Sequence, residues 1–205
     1  MISAHDEIPT VDGTDGRRQV SSVAELRAAV TDATIRHITI TEDLAGAPTL
    51  RLSPGQTLTG AGQPTIRFAE GQDGLQLSAD NEVNGLHLIA DPGRRAIFND
   101  STMERLGRLV LRDLRVSGVV RVLAREAIRG GHIESHDIHI VAADARAYDE
   151  RPKGYGVEVV PGAFTIWNQQ PDPAVRITAD LTGLSAGHPG APVRGSGPSL
   201  HWMRP

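Results

Sequence analysis

The chain has 205 residues, a formal net charge of −4, no cysteine, many glycines and prolines, and few aromatic residues. This length suits one domain with a sizeable core, and the absence of cysteine excludes disulfides and thiolate metal sites. The charge balance offers no basic face for nucleic acid, and no apolar run of about eighteen residues exists that could cross a membrane.

The N-terminal segment from Met1 to Thr10 has neither the basic start nor the apolar stretch of a secretory signal peptide. The default expectation is therefore a cytoplasmic protein. We expect residues 1–20 to be an N-terminal extension and residues 21–185 to be the folded domain. Residues 186–205 are rich in glycine and proline, which predicts an irregular C-terminal tail.

One segment near the N-terminus has a helical pattern. Ser22 and Glu25 have the spacing of a capping box, in which each side chain bonds a backbone amide at the start of a helix. Apolar residues then recur at helical spacing at Val23, Leu26, Ala29 and Val30. The pattern predicts a helix over residues 22–32.

Beyond the helix, short apolar–polar–apolar runs recur along the chain and indicate strands. A repeat of a few tens of residues built on one short strand is typical of a β-solenoid. The runs are Ile38-Thr39-Ile40, Leu58-Thr59-Gly60, Leu86-His87-Leu88, Leu114-Arg115-Val116, Ile138-His139-Ile140, Val157-Glu158-Val159 and Leu181-Thr182-Gly183.

Glycine or aspartate directly precedes most of these runs, at Gly85, Asp113, Asp137, Gly156 and Asp180. Both residue types tolerate a left-handed backbone conformation that β-branched residues resist. A solenoid that turns a sharp corner between two sheets often needs such a residue once per coil. We therefore interpret this column as corner residues rather than as a carboxylate-lined site.

The capped helix is followed by I-R-H-I-T-I (Ile35–Ile40), by P-G-Q-T-L-T-G-A-G (Pro54–Gly62) and by N-E-V-N-G-L-H-L (Asn81–Leu88). Together these segments resemble a pectin-lyase-like right-handed parallel β-helix over roughly residues 20–185. In that superfamily a short helix caps the first coil, and a T-[I/L]-x-G-x-G segment, here Thr57–Gly62, marks an early turn. The resemblance implies an all-β fold. Its members include polysaccharide lyases, hydrolases, epimerases and non-catalytic structural proteins.

Stacking of the coils predicts an outward column of polar side chains at His87, Arg115, His139 and Glu158. On four successive coils the column spans on the order of 14 Å, which suits a few sugar units. Arg115 could hold a carboxylate or sulfate, a histidine could act as acid or base, and Glu158 could orient the histidine. These four residues are the candidate catalytic residues. The alternative is a solvated ladder of exposed side chains.

Two aromatic segments resemble each other, A-I-F-N-D (Ala96–Asp100) and T-I-W-N-Q (Thr165–Gln169). Their aromatic rings could stack on a sugar, although such rings also close a core near a loop. The candidate substrate-binding residues are Phe98, Asn99, Trp167 and Asn168.

The segment from 131 to 140 concentrates histidine and acidic residues. Strand alternation points His132, Glu134 and His136 outward together. The α-carbons of His132 and His136 would lie roughly 13 Å apart on an extended strand, so we predict a solvated face and no metal site there. The resemblance includes calcium-dependent lyases, so calcium stays open as a cofactor.

We expect a protein that interacts with acidic polysaccharide, with lyase, epimerase or glycoside hydrolase activity left open. The N-T-D and G-H-G triplets of polygalacturonases are absent, and the arginine motif of pectate lyases is not recognisable. The alternative is a non-catalytic assembly module. Open strand edges need covers, and the sequence offers a capping helix at one end only, so the C-terminal end could form a homo-oligomer. A shortened member without independent activity is a third reading.

Overall fold

The computed structural model describes residues 16–125, 127–143, 156–160, 164–168, 172, 174–186, 194–196 and 200–203. In these residues the chain winds into a β-solenoid of about five turns, built mainly from short parallel strands, with one short helix near the N-terminal end. The expected all-β solenoid is confirmed.

Strands from successive coils pair side by side in two hydrogen-bonded sheets. In the described part of the chain, sheet A has eleven strands: β1 Arg17–Val20, β2 His37–Ile40, β3 Leu44–Ala47, β5 Thr57–Gly60, β6 Thr65–Phe68, β8 Glu82–Ile89, β10 Gly107–Ser117, β12 Gly131–Ala142, β15 Ile177–Thr182, β16 Ser185–Ala186 and β18 Leu200–Met203. Sheet B has seven strands among the same residues: β4 Leu50–Arg51, β7 Leu75–Leu77, β9 Arg95–Asn99, β11 Val119–Ala124, β13 Gly156–Val160, β14 Phe164–Asn168 and β17 Arg194–Ser196.

The long strands β8, β10 and β12 stack the apolar runs directly over one another. Leu86, Leu114 and Ile138 are register neighbours across these strands, and all three side chains are buried. Neighbouring strands lie about 4.8 Å apart, so each inward side chain contacts its equivalents on the coils before and after it. Burying one leucine or isoleucine contributes about 1.5–3 kcal/mol. The expected coil-over-coil stacking of these runs is confirmed.

A sharp corner divides each long strand into two segments. The corner residues Gly85, Asp113 and Asp137 have φ angles of 65°, 48° and 56°, in the left-handed region. This confirms the corner role predicted for these three residues. On the next coil the left-handed residue is Gly183, with φ of 62°, and not Asp180. Asp180 instead pairs in register with Glu134, ahead of the corner.

Two of the predicted runs lie on the other side of the corner from the one expected. Leu58 is the register neighbour of Val83, and Leu181 is that of Ser135, so both runs lie before the corner. The expectation had placed them after it. Both segments of a coil carry the same apolar–polar–apolar alternation, so the pattern alone does not distinguish the two sides.

Helix α1, Val23–Thr31, covers the N-terminal end of the solenoid, as predicted. The hydroxyl of Ser22 accepts the N–H of Glu25 at 3.3 Å, and the carboxylate of Glu25 accepts the N–H of Ser21 at 2.8 Å. The helix contacts β1, β2, β3 and β4 through its buried residues Leu26, Ala29 and Val30. Within the described ranges no helix has the length and hydropathy that a bilayer crossing requires.

Buried amide side chains join successive coils at the turn from sheet B to sheet A. The Oε1 atom of Gln56 accepts the N–H of Ser53 at 2.8 Å, and its Nε2 donates to carbonyls at and just beyond the end of α1. Asn81 repeats this one coil later: it accepts the N–H of Ser78 at 2.7 Å and donates to the carbonyls of Ser53 and Gln56. Each amide thus satisfies backbone groups of the preceding coil.

The C-terminal part of sheet B departs from the parallel pattern. Strand β14 is parallel to β11, but β13 is antiparallel to β14, and β17 is antiparallel to β13. The run Val157-Glu158-Val159 was expected to stack on Ile138-His139-Ile140, and this was wrong. Only residues 161–163 separate β13 from β14, and so short a connection joins antiparallel strands.

The segment 186–205, predicted to be irregular, contributes strands to both sheets. Strand β17 pairs with β13 in sheet B, and β18 pairs in parallel with β15 in sheet A. The described parts of this segment therefore extend both sheets beyond the last predicted run.

Candidate functional site

Sheet A has two outward surfaces, one on each side of the corner. We call the outward residues that precede the corner the pre-corner face. The post-corner face consists of the outward residues that follow it on β6, β8, β10, β12 and β16, namely Thr65, Arg67, His87, Ile89, Arg115, Ser117, His139 and Ser185.

Three of the four candidate catalytic residues lie in one row of the post-corner face. His87 and His139 are the register neighbours of Arg115 on either side, on β8, β10 and β12. The row continues at Ser185, the neighbour of His139. Glu158 does not join the row, because β13 belongs to sheet B. The side chain of Glu158 lies outside the described residues.

His87 is held neutral by its surroundings. Burial lowers the pKa of His87 below its usual range, and the charges of Arg115 and Arg67 lower it further, against an opposing effect of Asp43. Its Nε2 atom is buried and has no hydrogen-bond partner among the described residues. A protonated ring would leave that N–H unpaired, which also favours the neutral form. Only Nδ1 remains for contact with a ligand.

Arg67 and Arg115 are exposed, and within the described part of the chain the side chain of neither residue forms a hydrogen bond or an ion pair. Both guanidinium groups act electrostatically on His87, which lies between them on the sheet. Asp43, the nearby carboxylate, accepts the N–H of Thr65 at 2.6 Å. The post-corner face therefore carries two positive charges, and the carboxylate that borders it, Asp43, makes its described hydrogen bond to a backbone N–H rather than to either arginine.

Two arginines of the pre-corner face, Arg108 and Arg112, are paired with one carboxylate. Nε and Nη2 of Arg108 donate to the two carboxylate oxygens of Glu134 at 2.5 and 2.7 Å, and Nη2 of Arg112 lies 3.4 Å from the same group. The Nε2 atoms of His132 and His136 lie 3.4 and 3.7 Å from Glu134. The outward placement of this histidine-rich segment is as predicted, and its carboxylate already has bidentate arginine contacts.

The three histidines of β12 make the same contact with the next coil. Nδ1 of His132 lies 2.7 Å from the hydroxyl of Thr178, and Nδ1 of His136 lies 2.6 Å from that of Thr182. Nδ1 of His139 lies 2.8 Å from the hydroxyl of Ser185. These rings therefore hydrogen-bond along the solenoid axis and stabilise the stacking of coils.

Among the described residues, no group of three or more histidine, aspartate or glutamate side chains is arranged to hold a metal ion. Asp113 and Asp137 lie at corners of adjacent coils. Both carboxylate oxygens of Asp113 accept from the amide of Gln63, at 2.9 and 2.8 Å.

The candidate substrate-binding residues lie in sheet B, away from the post-corner face. Phe98 is 6% exposed and lies beneath the guanidinium of Arg95, 3.9 Å from the ring centre. Asn99 is buried, accepts the N–H of Leu123 at 2.7 Å and donates to its carbonyl at 2.9 Å. Phe98 and Asn99 thus have structural contacts and present no open surface to a sugar. Of the four, Trp167 and Asn168 have side chains that lie outside the described residues.

The sequence reasoning missed Arg67, which belongs to the alternating segment T-I-R-F in β6. That alternation is the same signal as in the predicted runs and could have placed Arg67 outward beside β8. The pairing of Arg108 with Glu134 was also missed, because these residues are 26 positions apart and meet only when β10 and β12 stack.

We expect the ion pairs of Glu134 to make stability depend on pH. Hydrogen bonds from Arg108 lower the pKa of Glu134 below its usual range, and the charges of Arg108 and His132 add to this. The stability that these ion pairs contribute is fully present above the pKa of a glutamate in the unfolded chain, about 4.3. It is lost as the pH falls through the lower pKa of Glu134 in the folded protein. Because Arg108 is 53% exposed, the pairs contribute at most about 1 kcal/mol. Urea denaturation should show Glu134→Gln less stable than wild type at about pH 7, with convergence near pH 3.

Glu70→Gln is the control, because Glu70 is an exposed glutamate outside this network. It should match the wild type at both pH values. A deficit of Glu134→Gln that is equally large at both pH values would contradict the assignment to the ionised carboxylate.

Comparisons of the chain with models of protein families, with curated proteins and with solved structures find no match.

Proposed function

We propose that this protein is a binding module for an anionic polysaccharide, which lies along the solenoid axis on the post-corner face. The supporting observation is the pair Arg67 and Arg115, exposed on either side of His87 without a described carboxylate partner. On the same sheet, Arg108 and Arg112 share the carboxylate of Glu134. Guanidinium groups without an internal partner are suited to an external carboxylate or sulfate, which they can hold through two parallel hydrogen bonds.

The dimensions of the row support an extended ligand. His87, Arg115, His139 and Ser185 lie on successive strands at a spacing of about 4.8 Å, so the row spans roughly 14 Å. This length accommodates a few sugar residues. Ile89, half-buried between the row and Arg67, offers an apolar contact for the C–H face of a sugar ring. The resemblance to pectin-lyase-like proteins favours the same ligand class.

The geometry favours binding over turnover. A lyase or epimerase needs an acid or base within hydrogen-bond reach of the reacting proton. Nε2 of His87 is buried, and Nδ1 of His139 is engaged by Ser185. Glu158, expected as the partner acid, belongs to sheet B. The row therefore supplies charge and hydrogen bonds to a ligand, while its acid–base groups are not paired for proton transfer.

We expect Arg115→Ala to weaken binding of a polyuronate such as polygalacturonate by about 10- to 100-fold, the loss typical of a hydrogen bond to a charged group. Calorimetric titration with a uronate oligosaccharide measures this loss. Arg115→Lys should recover part of the affinity, because lysine keeps the charge but not the planar two-donor geometry. Binding should also weaken as salt concentration rises.

Arg121→Ala is the matched control, since Arg121 follows on the same coil but lies in sheet B. Arg121→Ala should bind the polyuronate with the affinity of the wild type. None of the variants should differ from the wild type in its affinity for neutral dextran. Equal affinity of Arg115→Ala and wild type for every polyuronate tested would refute the proposal.

A further inference from the structure

A cleft lies between helix α1 and strand β4, at the N-terminal end of sheet B. Its volume of about 590 Å³ is in the range of ligand sites. One wall is the segment Pro48–Arg51. The other wall is an exposed face of the helix, whose members follow helical spacing: Ala24, Arg27, Ala28 and Thr31. None of these residues belongs to the post-corner face.

Sheet B begins one coil later than sheet A in the described part of the chain. After β1, the first strand of sheet A, the chain forms α1 and then returns to sheet A in β2. The first strand of sheet B is β4, which pairs on one side only, with β7. We call its other side the outer edge of β4. The lining of the cleft comes from α1 and the β4 segment, so the cleft lies along this outer edge.

The backbone of Arg51 is directed toward the outer edge. The N–H of Leu50 donates to the carbonyl of Gly74 at 3.1 Å, and the N–H of Leu52 donates to that of Gln76 at 2.9 Å. Backbone groups of alternate residues in a strand face opposite sides, so the N–H and C=O of Arg51 point away from β7. Within the described residues these two groups have no hydrogen-bond partner. Such an edge can accept an added strand.

The charge of the cleft favours an acidic ligand. Arg27 is exposed, and among the described residues its side chain forms no hydrogen bond or ion pair. Arg51 donates from Nη2 to Asp100 at 2.7 Å, and its side chain remains 60% exposed. Asp100 therefore has its partner in Arg51, and Arg27 is left as the cation for a carboxylate from outside. Ala24 and Ala28 end at Cβ, which leaves room for the side chains of an added strand.

We propose that this cleft binds an extended acidic peptide segment of a partner protein, which adds a strand to sheet B at the outer edge of β4. The peptide backbone bonds to the N–H and C=O of Arg51, and small apolar side chains contact Ala24 and Ala28. A carboxylate of the peptide pairs with Arg27. This recognition is independent of the polysaccharide on the post-corner face, because the two sites share no residue.

The test is a titration followed by amide NMR with the acetylated and amidated peptide Thr-Val-Asp-Val-Thr. We expect the amide signal of Arg51 to move downfield, and its hydrogen exchange to slow, because this N–H gains a partner. A counterpart with every amide N-methylated should bind at least about tenfold more weakly, since it cannot donate to the strand. A counterpart with asparagine for aspartate should bind roughly threefold to fivefold more weakly. An unchanged Arg51 signal, or equal binding of the N-methylated peptide, would overturn the proposal.

Two variants locate the site. Ala28→Leu fills the cleft with a residue that favours helix, and should weaken peptide binding at least about tenfold. Arg27→Ala should bind the aspartate and asparagine peptides equally. Ala61→Leu is the matched control with wild-type affinity, because Ala61 is exposed and does not line the cleft.

Wild-type affinity of Ala28→Leu, or a preference for aspartate that persists in Arg27→Ala, would show that the cleft does not bind the peptide as proposed. A change of the Arg51 signal on dilution of the protein without peptide would assign the outer edge of β4 to a second copy of the chain. That outcome would also overturn the proposal.

Discussion

Replacing Gln56 by alanine should lower the free energy of unfolding by about 4 kcal/mol, among the largest losses for any single side chain here. The Gln56 side chain is fully buried, and its Nε2 donates to the carbonyls of Ala29, Asp32 and Ile35. The last carbonyls of a helix have no donor within the helix. Alanine would leave these acceptors and the N–H of Ser53 without Gln56 as a partner, and each buried unsatisfied group costs about 1–3 kcal/mol.

Urea denaturation measures this loss, and Gln19→Ala is its control. Gln19 is an exposed glutamine on β1. Its removal should change the free energy of unfolding by no more than about 0.5 kcal/mol. A loss below about 1 kcal/mol for Gln56→Ala would mean that water replaces the amide, and that α1 is not held to the solenoid by this side chain.

The stacking of coils could be predicted because it follows from local pattern. Alternation marks an inward side chain at every second residue of a strand. The left-handed backbone of the corner restricts which residue types can occupy it. Asp113 and Asp137 could therefore be assigned as corners before any contact was known, and their φ angles agree. Once the corners are fixed, the row His87, Arg115 and His139 follows from counting residues past each corner.

The remaining departures depend on interactions that alternation does not encode. The residues around Leu58, before the corner, have the same apolar–polar–apolar pattern as those around Leu86, after it. Which side of the corner Leu58 occupies therefore depends on where the turn between β5 and β6 falls. The reversal of β13 depends on the short connection to β14 rather than on any residue of its own run. Glu158 was misplaced for this reason.

The chemistry of the candidate site was less predictable than its position. Arg108 and Arg115 lie on the same strand and look alike in the sequence. Arg108 has a carboxylate within reach only because Glu134 stacks beside it from the next coil. For Arg115 the neighbours are two histidines. Whether the side chain of an arginine has an ion-pair partner is therefore set by residues on other coils.

Replacing Gly60 by alanine should destabilise the protein by at least about 3 kcal/mol and could prevent folding, since the clash is with backbone. A Cβ atom at Gly60 would lie 2.1 Å from the carbonyl oxygen of Gly85, 2.6 Å from Cδ of Pro64 and 2.8 Å from Cδ2 of Leu86. That carbonyl belongs to β8, whose position is fixed by pairing with β5, β6 and β10. The contact cannot be relieved by rotating a side chain.

Gly62→Ala separates this steric effect from ordinary glycine strain. Gly62 has φ of 81°, but a Cβ atom there would have no neighbour within 4 Å. Its replacement costs only the left-handed conformation, about 1–2 kcal/mol. Thermal and urea unfolding should therefore rank wild type above Gly62→Ala, and Gly62→Ala well above Gly60→Ala. The reverse order would mean that the coils bearing Gly60 and Gly85 do not approach as closely as described, and the stacking that aligns His87 with Arg115 would have to be reconsidered with them.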